Sequence, residues 1–464
     1  MCARLAGARV TGARQARGAG GAPAPPGLAA RQLATALIYG VLAERRPLEQ
    51  LAATHLAHAF AGLEARDRAL ARAVAATALR RQGELERVLQ STLNRPLAPG
   101  SGRLQAVLLG AAAQLLCLDM PAHAVVDLAV ECARRDRSAH RFVKLVNAVL
   151  RRVAREGRAL LEQEDGVRLN VPDWLWQRWT RAYGAPRARR IAEASLREAP
   201  LDIALKSRAP SELLAWAEQL GGQVLTTGSI RLAAHGRIED MAGYDAGAWW
   251  VQDAAAQLIP RILGEVAGRS VADLCAAPGG KTAALAAAGA RVTAVDVSAS
   301  RLERLRGNLA RLKLTADVVA ADASTWSPGA IFAAIILDAP CTATGTIRRH
   351  PDILRLKRPQ DVGRMAELQR TMLTNAARLV QPGGELVFCT CSLEPEEGPH
   401  QTEALLAAGP DYVRVPIDAA AIGAAPEWIT PAGDLRTLPC HLALQPRELS
   451  GMDGFYAARL RRRA

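Results

Sequence analysis

Apolar residues recur at helical spacing through the first third of the chain. The segments ARQLATALIYGVL (30–42), LARAVAATALRRQGELERVL (70–89), LQAVLLGAAAQLLCL (104–118) and HAVVDLAVECARR (123–135) each carry an apolar stripe of this kind. Strand signals are nearly absent there. Residues 28–160 therefore read as an all-α bundle of helices joined by short loops. The texture changes over 161–248. VPDWLWQRWTRAYG reads as a short aromatic helix, and LDIAL, GGQVL and IRLAA read as short strands between polar turns. A small α/β connecting domain is expected, with Trp174, Trp176 and Trp179 suited to a packed interface or to base stacking. Over 249–464 strand-like runs alternate with helical ones: SVADL, RVTAVD, ADVVAAD, AAIILDAP and ELVFCTCS, with GFYAARLRR as a final strand. That rhythm predicts a parallel sheet with crossover helices, an α/β Rossmann-like domain.

Composition adds a partner to this picture. The 464 residues suit about three domains at ~150 residues each. The net charge of +14 makes a polyanionic partner plausible. Arginine carries nearly all of it, since the lysines are only Lys144, Lys206, Lys281, Lys313 and Lys357. Residues 1–27 are rich in Gly, Ala, Pro and Arg, and the first acidic residue is Glu44, so a disordered basic tail is expected there. The run from Arg134 to Arg158 surrounds the apolar stripe of FVKLVNAVL with Arg134, Arg135, Arg141, Lys144, Arg151 and Arg152. It reads equally as a solvated helix face and as a surface that tracks phosphates. The longest apolar stretch, 104–118, is too short for a membrane span, so no membrane partner is expected. Eight cysteines are too sparse for a disulfide framework and suit a reducing cytoplasm. A monomer is expected.

Four motifs carry candidate chemistry. In VADLCAAPGGKTAALAAAG a strand ends near Asp273 and a Pro-Gly-Gly turn leads into an Ala-rich helix. Doubly wound sheets place their ligands at such turns. The Walker pattern needs glycine where Cys275 stands, so the loop suits a nucleoside ligand without phosphates. Asp296 ends the next strand, at about the spacing of a ribose-binding acid, and Asp322 ends the one after, where it could accept from an adenine amino group. Together these aspartates point to S-adenosylmethionine. ILDAPCTATGTIRRHPDIL delivers Asp338 and Cys341 to a strand end, followed by Arg348 and Arg349, which are expected to contact RNA. ELVFCTCSLEPEE delivers Cys391 to another, while Cys389 lies within that strand as a core residue. A zinc site from Cys389, Cys391, His350 and His400 lacks paired spacing, and no metal is expected.

Thiols suit methyl transfer to cytosine. C5 is a poor nucleophile, and thiolate addition at C6 makes it an enamine carbon. A carboxyl near N3 stabilises the adduct, and a second acid/base group then helps to remove the C5 proton and release the thiol.

The residues also carry resemblances. MPAHAVVDLAVECAR and FVKLVNAVLRR resemble the NusB-like RNA-binding helical domain. CAAPGGKT, DAPCTATGTIRRHPDI, FCTCSLEPEE, WWVQDAAAQL and DGFYAARL resemble the bacterial 16S ribosomal RNA (cytosine C5) methyltransferase B family, also called Sun or Fmu. The resemblance spans about 28–461 and implies a Rossmann-like class I methyltransferase domain dependent on S-adenosylmethionine. It implies Cys391 as nucleophile and Cys341 in product release. The implied cofactor residues are Cys275, Ala276, Ala277, Pro278, Gly279, Gly280 and Lys281, with Asp296, Asp322 and Asp338. The family usually has serine where Thr342 stands, and both side chains carry a hydroxyl. The implied substrate is 16S ribosomal RNA. Rival readings are the same chemistry on transfer RNA or another ribosomal site, and an RNA-binding scaffold with an inactive methyltransferase domain.

Overall fold

The computed structural model describes residues 25–97, 101–233 and 236–464. Most of the expected basic tail, 1–24, lies outside the described residues. The N-terminal part is a helical bundle, with principal helices Leu28–Leu42, Ala65–Arg80, Gln82–Thr92, Leu104–Leu116, Ala122–Arg135 and Val143–Glu162. Helix Leu104–Leu116 is buried along nearly its whole length, which is why its sequence is apolar all round. The single pattern of 70–89 divides at Arg81, whose backbone leaves the helical region.

A small antiparallel sheet follows. Its strands are β1 (Leu201–Leu205), β2 (Gly222–Val224), β3 (Ile230–Leu232) and β4 (Trp249–Val251), in the order β2-β3-β1-β4. β4 extends this unit beyond residue 248. The Trp-rich helix Asp173–Tyr183 does not cover this sheet. Trp179 is fully buried against Ile347, Ile353, Leu393 and Leu438 of the last domain.

The large sheet contains β5 (Ser270–Leu274), β6 (Arg291–Asp296), β7 (Asp317–Ala320), β8 (Phe332–Asp338), β9 (Val380–Thr390), β10 (Tyr412–Val415), β11 (Leu435–Arg436) and β12 (Tyr456–Arg462). Its order is β10-β12-β9-β8-β5-β6-β7, with β11 beside β12. The strands from β9 to β7 run parallel, but β12 lies antiparallel between β9 and β10. The sheet is thus mixed rather than parallel. Apolar clusters cover both of its faces, a requirement of buried parallel strands. β6 and β8 flank β5 on opposite sides, so the chain direction reverses there. A crevice opens at such a reversal, beyond the strands' carboxyl ends.

The helical domain docks beside that crevice. Arg80 donates to Arg348 O (2.9 Å), Arg355 donates to Leu79 O (3.2 Å) and Asn170 O (2.9 Å), and Leu48 N donates to Asp352 Oδ2 (3.0 Å). The segment just after Cys341 therefore joins the two domains. Among the described residues, no helix is long and apolar enough to cross a membrane.

Candidate active site

β5 ends at the turn Cys275–Gly279, which feeds helix Gly280–Ala287. Gly279 has φ 104°, and a β-carbon there would lie 2.9 Å from Leu305 Cγ, so glycine is required. A cavity of about 380 Å³ opens against this turn. Its lining includes Asp273, Ala276–Lys281, Asp338, Trp250 and Gln252. Asp273 Oδ2 accepts from Thr282 Oγ1 (2.6 Å), while Oδ1 is buried without a partner. Burial raises this carboxyl to about 6.

The other carboxylates take different positions. Asp296 is buried and accepts from Ala277 N (3.2 Å) and Ser298 N (3.0 Å), with Arg301 3.2 Å away. It therefore braces the Cys275–Gly279 turn. Asp322 follows β7, and its Oδ1 accepts from Ser324 N (2.8 Å) and Oγ (2.7 Å). Neither aspartate lines the cavity. Asp338 does, and it binds Lys281 Nζ at 2.6 Å. Burial alone would lower the Lys281 ammonium, but Asp338 outweighs it and holds that group above the ordinary lysine value.

The two cysteines converge because β8 and β9 are hydrogen-bonded neighbours. Cys341 and Cys391 leave their ends with sulfurs 3.5 Å apart, both free thiols. Cys389 points into the core, with Sγ 3.6 Å from Asp338 Oδ1. Gly345 N donates to Cys391 O (2.9 Å), and Gly454 N donates to Gly345 O (2.8 Å). A β-carbon at Gly345 would lie 2.0 Å from Gly454 O, so only glycine allows this approach.

Glu397, the last residue of FCTCSLEPEE, joins the site, although the sequence assigns it no role. Its carboxyl accepts from Thr342 N (3.0 Å) and Thr342 Oγ1 (2.6 Å), and Thr342 Oγ1 lies 3.2 Å from Ser392 Oγ. Thr390 Oγ1 donates to Glu397 O (2.8 Å). One residue thus ties together the loops of both thiols. Burial raises its carboxyl to about 7. The only signal in the sequence is the acidic cluster of LEPEE directly after a strand.

The basic residues require corrections. Arg348, expected on the RNA surface, is 1% exposed and donates to Ser450 O (2.8 Å) and Glu198 O (3.3 Å). Arg349, expected there too, is held by Asp453 (3.0 Å) and Asp253 (2.5 Å). These two acids lie in WWVQD and MDG, far apart in the chain. The Cys391 thiol is raised well above its ordinary value, first by its hydrogen bond with Cys341 and then by burial.

On the helical domain the basic face is real but locally answered. Val146, Val149, Leu150 and Val153 are core, so the cations stand outward. Arg134, Arg135, Arg141 and Arg151 are exposed, and Arg152 is half-buried. Lys144 shares this helix. Glu131 pairs with both Arg134 and Arg135, Glu156 pairs with Arg152, and Arg151 donates to Asn147. Glu131 lies just before the basic run that begins at Arg134.

A mixed sheet with the glycine turn after β5 defines the methyltransferase class of α/β folds. The crystal structure of PH0851 shares this fold, with TM-score 0.73 and 22% identity over 94% of this chain and 99% of that one. A methyltransferase homologue from Pyrococcus horikoshii gives TM-score 0.51 at 27% identity, over 62% of this chain and 93% of that one. The family described as 16S rRNA methyltransferase RsmB/F matches residues 261–461, and the NusB family matches 28–155. The ribosomal RNA small subunit methyltransferase B of Vibrio cholerae is 37% identical over 77% of this chain and 85% of its own. That of Xanthomonas campestris is 35% identical over 85% and 92%. The chain belongs to the ribosomal RNA small subunit methyltransferase B family.

Proposed function

We propose that the protein transfers the methyl group of S-adenosylmethionine to C5 of a cytosine in 16S ribosomal RNA, through a covalent bond between Cys391 and C6. The observation that carries this reading is the pair of free thiols 3.5 Å apart at the ends of β8 and β9, beside the glycine turn. The names of the curated relatives support ribosomal RNA as substrate. The NusB match supports RNA binding by the helical domain.

The cofactor fits the residues present. Asp273 offers a buried, unpartnered oxygen at the cavity, and Gly279 and Gly280 bare the backbone along it. Cys275–Lys281 would hold the ligand together with Asp338, and Asp296 braces their turn through Ala277 N; Asp322, exposed and bonded to Ser324, does not line this cavity. When bound, S-adenosylmethionine supplies an electrophilic methyl group on a sulfonium.

The chain's own residues prepare the base. Cys391 Sγ adds to C6 and C5 becomes nucleophilic. Asp338, fixed by Lys281, faces N3 and the exocyclic amine and stabilises the adduct. Cys341 then assists loss of the C5 proton and release of Cys391. The Cys391 thiol rests in contact with Cys341, and as Sγ adds to C6 its proton passes to N3 of the cytosine, leaving C5 the nucleophilic carbon of a neutral enamine. The test is bisulfite sequencing of ribosomal RNA from a deletion strain. One protected cytosine of 16S RNA should disappear and return with the wild-type chain. An unchanged pattern in 16S RNA would overturn the proposal, and a loss confined to transfer RNA would move the substrate.

A further inference from the structure

A second cavity, of about 300 Å³, lies between the small sheet and the later half of helix Gly280–Ala287. No cysteine among the described residues lines it. Trp250 and Gln252 line both this cavity and that of the cofactor turn, so they form the partition between the two. Its volume is at the lower end of small-molecule sites, about 300–1,000 Å³. Leu205, Val266 and Leu285 supply apolar wall, while Lys206, Arg208 and Arg261 supply positive charge.

Among the described residues, no acid answers that charge. The groups acting on Arg261 and Lys206 are themselves cations: Arg208 on the first, Lys313 and Arg311 on the second. No carboxylate of the described residues acts on Arg208. Arg261 is half-buried and burial lowers it to about 9, while Lys206 is half-buried and Arg208 is exposed at the cavity rim. Arg261 is pinned, because Nη1 donates to Thr227 O and to Ile422 O (3.1 Å), and its guanidinium lies against the bare backbone of Gly228, another lining residue. Buried Arg231 and Arg349, by contrast, are each paired with carboxylates. Convergent cations in a partly dehydrated hollow call for an anion from outside.

We propose that this cavity binds a phosphate group, carried by a free mononucleotide or by the backbone of bound RNA. Both sources present the same acceptor-rich anion that guanidinium groups recognise. The inference does not rest on the methyl-transfer reading, because no step of that reaction uses these residues.

The test uses the full chain and the double variant Lys206→Gln/Arg208→Gln, at the cavity rim. Arg261 is spared because it ties Thr227 and Ile422. Matching circular dichroism and melting would show that the variant is folded. Calorimetry with inorganic phosphate and with AMP forms one arm. Binding of a 16S RNA fragment across a salt series forms the other. One-to-one binding of either free ligand, weakened at least tenfold in the variant, supports a mononucleotide or phosphate site. No free-ligand binding, with the slope of log affinity against log salt reduced by about one in the variant, supports an RNA phosphate. Free-ligand binding unchanged in the variant overturns the proposal, as does absence of free-ligand binding with an unchanged RNA slope.

Discussion

On helix Val143–Glu162 the cations stand opposite an apolar stripe, in water, and the acid partner of Arg152 sits four residues away. Glu131 answers Arg134 and Arg135 at the same short spacing on the preceding helix. In the interior, Arg231 of β3 meets Asp202 on the neighbouring strand β1, and Arg349 of the crevice meets Asp253 and Asp453 from distant segments. Arg231 and Asp202 are both 0% exposed at the side chain, and Arg231 also donates to Leu449 O and Gly451 O. The same residue type thus solvates one surface and fastens another region together. Local pairs cost little to break, because water replaces the partner. A buried pair broken on one side leaves a dehydrated charge. The interior pairs are therefore a fixed frame, while the ion pairs of the helical face can open to water at little cost.

The sharpest way to break this contrast is Asp202→Ala. It strands Arg231 and removes the acceptor of Ala254 N, and should lower unfolding stability by about 3–5 kcal/mol in denaturant titration. Arg152→Ala on the outer helix should change it by no more than about 0.5 kcal/mol. Equal losses in the two variants would erase the distinction.

Glu397 gives a pH signature to the crevice side. Its folded value lies near 7 against an ordinary 4.5, so the fold favours the protonated form. That contribution is complete below pH 4.5 and is lost as pH rises through 7. Wild-type stability should fall by on the order of 2–3 kcal/mol between about pH 5 and pH 8 relative to Glu397→Gln, which cannot titrate. Parallel pH profiles would show that Glu397 is ionised throughout.

Asp296→Ala should weaken S-adenosylmethionine binding by about 1–3 kcal/mol in calorimetry, through loss of its hold on the Ala277 turn. Wild-type affinity would remove Asp296 from the site. The smallest effect belongs to the outer face. Neutralising Arg151, Arg152 and Arg155 together should flatten the salt dependence of RNA binding, by about one in slope for each phosphate left without its cation. An unchanged slope would leave them a solvated surface only.

The convergence of Cys341 and Cys391 was legible because two apolar runs stop just before DAPC and TCS, and adjacent parallel strands deliver such ends to one edge. The direction of β12 was not, since an apolar run carries no mark of polarity. β10 and β11 span only four and two residues, too few for a periodic signal. Arg348 and Arg349 look alike in sequence, and only the meeting of Asp253 with Asp453 separates a buried charge network from a surface. The surroundings of Cys391 were equally hidden. Its thiol meets another thiol, Cys341 at 3.5 Å, and that depends on side-chain packing.

The proposed division between the paired thiols, attack by Cys391 and release by Cys341, can be tested directly. Cys341→Ala and Cys391→Ala, each incubated with 16S RNA and S-adenosylmethionine, should be resolved on denaturing gels. A slow, nuclease-sensitive band of protein bonded to RNA is expected for Cys341→Ala, and neither band nor methylation for Cys391→Ala. A band from the Cys391 variant alone would reverse the roles. Activity in both variants without any band would contradict the covalent mechanism itself.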